Sequence, residues 1–446
     1  MDKMADVLGR VGAWCGQNKY LSAIKNSFQT FMPLTIAGAI GVLWCNVLVN
    51  ADSGLGMFWE PIMALEVINP AFAAMQFATI SCITVGITFG IAQEIGESNG
   101  ETGYFAGLLG LACWLSVTQS GWANYALVDT AKQTLSLTAD GALQTFTGVA
   151  GGALGATGLF TGMIVGVVSV EIFCALRKVE GLKLKMPETV PPGVARAFEV
   201  LIPAVITLAI IALIGRGCEL ATGLYLNDVI STYIQGPLGA IGSTIPGVII
   251  IYIIIGLFWL VGIHGNNMLS AVKEALFTPL ALENVEKFNK GEKPTNIINM
   301  YFLQMCGEFG GSGVTIGLVI AIMIFGKRED NKAIASLSLV PGLFNINETV
   351  TFGIPMVLNP ILGIPFVFAC LVTILVGYVL TVIGFCPVAC LTVPWTTPPL
   401  VFGFLATGAN IMGAVTQAIL IVVSTVIYTP FLIAYEKYQN KQAAEA

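Results

Sequence analysis

The strongest constraint in this sequence is the stretch 333–435, which contains a single charged side chain, Glu348. An ionised carboxylate in apolar surroundings is costly unless something pairs with it. We therefore predict that Glu348 belongs to a functional site. The alternative is a structural carboxylate that caps a helix end.

The backbone around Glu348 is predicted to be broken. Pro355, Pro360 and Pro365 lack amide protons and disfavour helix at the residues before them. At membrane depth, irregular backbone is tolerated only where protein or a water-filled cavity surrounds it. We therefore predict a re-entrant segment near 340–360 that lines a substrate site.

Composition places the whole chain in a membrane. Of its 446 residues, 56% are hydrophobic and 10% are charged, whereas soluble domains average about 25% charged residues. The apolar runs predict an all-α polytopic membrane protein with about ten transmembrane helices plus re-entrant hairpins.

The charge and cysteine patterns exclude other classes. The net charge is −6 and no basic stretch resembles a nucleic-acid footprint, so nucleic acid is not an expected partner. The ten cysteines show no CxxC spacing, so neither a metal site nor a cofactor is predicted.

Lysine and arginine are distributed unevenly among the loops. They occur before the first apolar span, at 177–185, at 327–332 and after the last span, which predicts that both termini lie in the cytoplasm. The Pro-Pro-Gly sequence at 191–193 follows the second of these clusters and predicts a boundary between two halves, 1–185 and 186–446.

The only histidine, His264, is a second site candidate. It ends an apolar run and is followed by Asn266 and Asn267, which predicts another re-entrant segment near 264–285. A histidine that is buried in the core and hydrogen-bonded there is the alternative, because nothing in the sequence proves that His264 meets Glu348.

These residue types suit a sugar. Hydroxyl groups both donate and accept hydrogen bonds; a carboxylate accepts them, a neutral imidazole does one of each, and amides such as those of Asn266 and Asn347 do both. Trp259 and Trp395 lie near the same broken segments and offer flat apolar faces for sugar rings. An aromatic belt at the membrane interface is the alternative for both tryptophans.

Several short motifs resemble one family over essentially the whole chain. They are GIHG at 262–265, FGGSGVT at 309–315, NINE at 345–348, FGIP at 352–355 and PWT at 394–396. Together they resemble enzyme IIC, the membrane-embedded sugar component of the bacterial phosphoenolpyruvate-dependent phosphotransferase system, in its lactose/cellobiose/diacetylchitobiose branch.

The resemblance implies a homodimer in the bacterial cytoplasmic membrane. The half 1–185 would dimerise, and the half 186–446 would hold a disaccharide between re-entrant hairpins. His264 and Glu348 match the family's sugar-binding residues, and Trp259 and Trp395 match aromatic residues of the pocket. We assign a catalytic role to Glu348. Phosphate would reach the sugar 6-hydroxyl from a phosphocysteine on a IIB protein, which is expected to be a separate chain, so the phosphoryl donor is not expected in this subunit.

Three functions compete at this stage. The first is a group-translocating sugar carrier for a β-linked disaccharide of cellobiose, diacetylchitobiose or lactose type. The second is an ion-coupled secondary transporter of small polar solutes, which would favour more intramembrane acids than Glu348 and Glu308. The third is a membrane-embedded hydrolase or transferase, for which one His and one Glu on separate elements are weak support.

Overall fold

The structure is a computed structural model that describes residues 10, 14, 17–51, 56, 59–125, 127–129, 134–136, 144–184, 186–187, 189–354, 356–357 and 359–445. Contacts between residues divide the chain into two compact units. The first comprises Met1–Ser22, Met32–Ile80 and Leu238–Ala446, and the second comprises Ala23–Phe31 and Ser81–Pro237. The predicted halves stay a prediction, and Lys185 lies outside the described residues.

The elements up to residue 235 are mostly helical. The helices are α1 (Lys19–Leu43, continued by a π-helical turn Trp44–Leu48), α2 (Asn69–Gln76, after the 3-10 helix Glu60–Ile68 and before the π turn Phe77–Ser81), α3 (Ile83–Ser98), α4 (Gly103–Ser116), α5 (Gly151–Leu154, followed by the 3-10 turn Ala156–Gly158), α6 (Leu159–Arg177, followed by the 3-10 turn Glu180–Leu182), α7 (Pro192–Thr222) and α8 (Leu226–Ile230, followed by the π turn Ser231–Gln235).

Four short strands lie between α4 and α5. They are β1 (Gly121–Tyr125), β2 (Leu127–Asp129), β3 (Thr134–Ser136) and β4 (Gln144–Thr147). β1 pairs antiparallel with β4, with Gly121 opposite Thr147, and β2 pairs antiparallel with β3. They overlap the polar interruption between predicted spans, and they are an addition to the all-helical prediction.

The elements from residue 236 onward carry the site. The helices are α9 (Gly236–Gly242), α10 (Ile245–Leu260), α11 (Gly265–Met268), α12 (Ser270–Asn289), α13 (Met300–Gly307, followed by the 3-10 turn Ser312–Val314), α14 (Ile316–Phe325), α15 (Glu329–Leu343), α16 (Glu348–Gly353), α17 (Pro360–Val382), α18 (Val401–Ala406) and α19 (Ile411–Glu445).

Side-chain caps fix where several of these helices begin. Thr244 accepts the amide of Gly247 at the start of α10, Asn299 accepts two amides at the start of α13, and Asn359 does the same for α17. Each cap satisfies amide groups that have no partner within the helix. The cap of α17, Asn359, also stands directly before Pro360, and proline favours the first helical position.

The core of the first unit is formed by helices that cross closely. α14 and α17 both pack on α19, and α10 packs on α17. A Cβ at Gly256 of α10 would lie 2.6 Å from Val367 of α17, which shows how near the two backbones approach. Such small-residue contacts are typical of helices that associate in membranes.

By length and composition, the described helices provide six to eight candidate membrane spans. Among the described residues six helices qualify, and two bent pairs raise the number to eight. One of these pairs bends by 60° between Met300–Val314 and Ile316–Phe325. The all-α polytopic membrane fold is confirmed, but about ten spans are not. The six are Lys19–Leu48, Glu60–Ser81, Ala156–Arg177, Pro192–Thr222, Pro360–Val382 and Ile411–Gln442.

Candidate functional site

His264 is held by a local hydrogen bond at the start of α11. After α10 ends at Leu260, the chain turns and the imidazole Nδ1 accepts the backbone amide of Asn267 at 3.2 Å. An accepting Nδ1 carries no proton, so the hydrogen-bond pattern assigns the proton of a neutral imidazole to Nε2. His264 therefore presents one donor away from the helix.

That donor points toward Glu348. The distance between His264 Nε2 and Glu348 Oε1 is 3.8 Å, and the two side chains are 35% and 48% exposed. This separation is too long for a direct hydrogen bond. The structure thus brings together the two residues predicted from the sequence, with both still able to contact a ligand.

Trp259 packs against His264. Their ring centroids are 4.4 Å apart, and the rings of Phe352 and Phe366 lie 6.4 Å and 6.1 Å from the indole. Trp259 is only 2% exposed. In this structure the indole therefore supports the imidazole, and its direct contact with a sugar stays a prediction.

Asn266 and Asn347 are joined through one serine. Asn266 Nδ2 donates to the Ser312 hydroxyl at 2.9 Å, and Asn347 Nδ2 donates to the Ser312 carbonyl at 2.8 Å. Gly311 has a φ of +88°, and a Cβ there would lie 2.6 Å from the Asn347 side chain. A glycine is therefore required for this turn to pass so close to Asn347.

A buried ion pair lies behind Asn266. The Lys273 ammonium pairs with the Glu308 carboxylate, and the two side chains are 7% and 17% exposed. The Tyr252 hydroxyl donates to the same carboxylate oxygen at 2.7 Å, and Lys273 Nζ also reaches Asn266 Oδ1 at 3.4 Å. The ammonium fixes the amide orientation of Asn266, so that Nδ2 faces Ser312.

Sequence reasoning missed Lys273 as a member of this site. The available signal was a lysine within the predicted re-entrant segment, because an ionisable residue at membrane depth is by default a functional candidate. Ser312 was quoted only as part of a motif, and its two asparagine partners lie far away in sequence.

Trp395 is placed by Asn345. Asn345 Nδ2 donates to the backbone carbonyl of Trp395 and to that of Thr397, the latter at 3.1 Å. Trp395 is 44% exposed. Its side chain is therefore available either to a ligand or to lipid, as the sequence left open.

The arrangement suits a polyhydroxylated ligand. A carboxylate that accepts, an imidazole that donates and two oriented amides lie on neighbouring segments of one compact unit. Within the described part of the chain, no group of three or more His, Cys, Asp or Glu side chains could hold a metal ion.

A family comparison identifies the family of the chain. The sequence model of the family "Phosphotransferase system, EIIC" matches residues 25–370. The chain belongs to this EIIC family. The predicted family is thus confirmed, and the protein is a sugar permease component of a phosphotransferase system in a multi-pass membrane fold. EIIC components bind sugars and act with IIB partner proteins.

Relatives of this EIIC chain match along nearly its whole length. It is 33% identical to the oligo-beta-mannoside-specific EIIC component of Bacillus subtilis (strain 168), over 98% of this chain and 94% of the relative. It is 29% identical to the cellobiose-specific EIIC component of Lactococcus lactis subsp. lactis (strain IL1403), over 98% of both chains.

A solved structure shares the fold. The crystal structure of the transporter ChbC, the IIC component from the N,N'-diacetylchitobiose-specific phosphotransferase system, superposes on this EIIC chain with a TM-score of 0.86. The two are 30% identical, and the match covers 98% of each chain.

The glycine after His264 offers a test of how the EIIC site is built. A Cβ at Gly265 would collide with the carbonyl oxygen of Ile255, which belongs to the backbone and cannot rotate away. We expect Gly265→Ala to lower the free energy of unfolding by about 1 to 3 kcal/mol, the usual cost of overpacking. Thermal unfolding of the purified protein measures this.

Gly193→Ala is the matched control, because nothing lies within 4 Å of a Cβ at that position. It should unfold at the wild-type temperature. Equal unfolding temperatures for the two variants would contradict the close approach at Gly265.

Proposed function

We propose that this EIIC component binds a β-linked disaccharide between His264 and Glu348 and carries it inward for phosphorylation by a IIB protein. The observation that carries the proposal is the 3.8 Å gap between Nε2 and Oε1. A sugar hydroxyl beside both atoms can accept from the imidazole and donate to the carboxylate. Asn266, Asn347, Trp259 and Trp395 complete the proposed binding site.

The relatives support a disaccharide or a related oligosaccharide as the substrate class. Their names specify oligo-beta-mannoside, cellobiose and N,N'-diacetylchitobiose. We propose a sugar of the cellobiose, diacetylchitobiose or lactose type for this chain. Aromatic residues near the polar groups give the apolar ring faces something to pack on.

Glu348 is the proposed catalytic residue. In the transfer, the sugar 6-oxygen bonds to phosphorus, the bond from phosphorus to the cysteine sulfur of IIB breaks, and the hydroxyl proton leaves. A carboxylate within hydrogen-bond reach of the hydroxyl orients it and accepts that proton. The thiolate of the IIB cysteine is the leaving group.

The proposed topology follows from the same scheme. Phosphorylated IIB must reach the sugar from the cytoplasm, and the Lys and Arg residues near both chain ends favour a cytoplasmic location for both termini. We propose that the protein is a homodimer formed by the half 1–185, with the sugar held in the half 186–446. All of the site residues described above lie in this second half.

Reconstituted vesicles test the function. The purified protein is incorporated into lipid vesicles that contain phosphorylated IIB. Labelled cellobiose, diacetylchitobiose or lactose is added outside the vesicles. We expect sugar phosphate to accumulate for at least one sugar, and only when phosphorylated IIB is present. The control is IIB with its phosphocysteine replaced by serine. Accumulation of unmodified sugar that depends on an ion gradient and not on IIB would contradict the proposal and favour ion coupling.

A further inference from the structure

Asn345 has a conformation that few residues adopt. It lies between α15 and α16 with a φ of +62°, and its backbone amide donates to the Gly342 carbonyl at 3.0 Å. Among residues with a side chain, asparagine tolerates this left-handed region best. The turn places the Asn345 side chain away from its own helix.

The Asn345 side chain bonds to two other segments. Its Oδ1 accepts the backbone amide of Gly310 at 2.6 Å. Its Nδ2 donates to the carbonyls of Trp395 and Thr397. One primary amide therefore uses its acceptor and its donor group at once, which neither a carboxylate nor an aliphatic side chain can do.

Each of these segments carries a residue of the proposed sugar site. The Gly310 turn leads to Ser312, which holds Asn266 and Asn347. The segment of Asn345 itself leads to Glu348, three residues later. The third segment is a turn closed by the bond from the Thr397 amide to the Pro394 carbonyl, and it presents Trp395.

We propose that Asn345 is a positioning residue whose amide holds the Trp395 turn beside the segment of Glu348, so that both residues contact the same bound sugar. This inference rests on the proposed function, and it places Trp395 in the binding site and not at the membrane interface. Asn345 itself does not touch the sugar, and it acts on affinity through Trp395.

Two substitutions separate this role from a requirement for the turn alone. Asn345→Gly keeps the left-handed backbone without steric cost but removes all the side-chain bonds. Asn345→Asp keeps an acceptor for Gly310 but faces two carbonyls with a carboxylate. We expect both to weaken binding of the preferred disaccharide by about tenfold, because partners are left unpaired. Ala409→Gly, at another left-handed residue (φ +57°), should bind as the wild type does.

A double-mutant cycle shows whether Asn345 acts through Trp395. We expect Trp395→Ala to weaken binding by about tenfold, and Asn345→Asp to add less than about twofold in that background, because coupled residues are not additive. In the His264→Ala background, Asn345→Asp should keep its full effect. Isothermal titration with disaccharide measures each affinity, and thermal unfolding confirms that every variant is folded.

Three binding results would overturn the proposal. They are wild-type affinity of Asn345→Gly, wild-type affinity of Trp395→Ala, and a full tenfold effect of Asn345→Asp in the Trp395→Ala background. If a variant does not fold, the remaining variant and the cycle decide.

A sugar-free measurement separates this proposal from the proposed function. The emission of Trp395 is obtained as the difference between the wild type and Trp395→Phe. Asn345→Asp should shift this difference spectrum, because the turn is released. If the wild type binds none of the disaccharides, the proposed function fails. An unchanged difference spectrum would instead show that Asn345 does not hold the Trp395 turn.

Discussion

Replacing Glu348 with glutamine should slow sugar phosphorylation by about 10²- to 10⁴-fold at saturating sugar, the usual effect of losing a general base. The amide keeps the shape of the side chain but cannot accept the hydroxyl proton. Binding should weaken by only about 1 to 2 kcal/mol, because charge-assisted hydrogen bonds become neutral ones. The paired measurement is disaccharide affinity and sugar phosphate formed with excess phosphorylated IIB.

His264→Ala is the contrasting variant. It removes a donor to the sugar, so affinity should fall by about 1 to 3 kcal/mol, while the rate at saturating sugar should change less than in Glu348→Gln. A Glu348→Gln protein that binds poorly but phosphorylates at the wild-type rate when saturated would leave Glu348 with a role in recognition only.

Replacing Lys273 with methionine should lower the free energy of unfolding by about 3 to 5 kcal/mol, because one buried charge loses its partner. The side chains of Lys273 and Glu308 are 7% and 17% exposed, so water does little to replace the ammonium. The Tyr252 hydroxyl still donates to Glu308 at 2.7 Å, but it supplies no positive charge. Thermal and chemical unfolding in detergent provide the measurement.

Two further variants make this result specific. The double variant Lys273→Met/Glu308→Gln carries no unpaired charge and should recover much of the lost stability. Lys290→Met breaks an exposed pair with Glu286, whose side chains are 58% and 54% exposed, and should change stability little. If the double variant is no more stable than Lys273→Met, the buried charge is not the cause.

His264 and Glu348 were predictable from sequence, because ionisable side chains are rarely found in long apolar stretches. Glu348 and His264 are polar residues in or at the end of long apolar stretches, where an unexplained ionisable group is rare. That rule applies to one residue at a time. It cannot say that the two meet, because they are 84 positions apart and their separation depends on how α11 and α16 pack.

Residues whose role is to hold other residues were harder to predict. Ser312 matters because two asparagines reach it, and Asn345 matters because its backbone is left-handed. Neither property is written in composition or in hydrophobic periodicity. Lys273 was visible as an intramembrane lysine, but its partner Glu308 is 35 positions away. A tertiary ion pair of this kind has no local signature.

The fold was also predictable only in part. Apolar runs predicted most helices, because about 20 apolar residues span a bilayer. The number of spans was harder to predict, because a single apolar run can form two helices. The run near 298–325 contains a 60° bend of this kind. The strands between α4 and α5 fall in a polar stretch, where neither the helical nor the membrane signal applies.

The charge balance of the site has a consequence for product release. With His264 neutral, Lys273 and Glu308 cancel each other, and Glu348 leaves one net negative charge among the side chains described here. A neutral disaccharide enters this field without repulsion, whereas a phosphate monoester carries about −1.5 to −2 charges at neutral pH. Of these site residues only Lys273 is a cation, and Glu308 already holds it. Phosphorylation would thus lower the affinity of this site for the sugar. Weaker binding of the sugar phosphate limits product inhibition and disfavours return of the sugar to the outside.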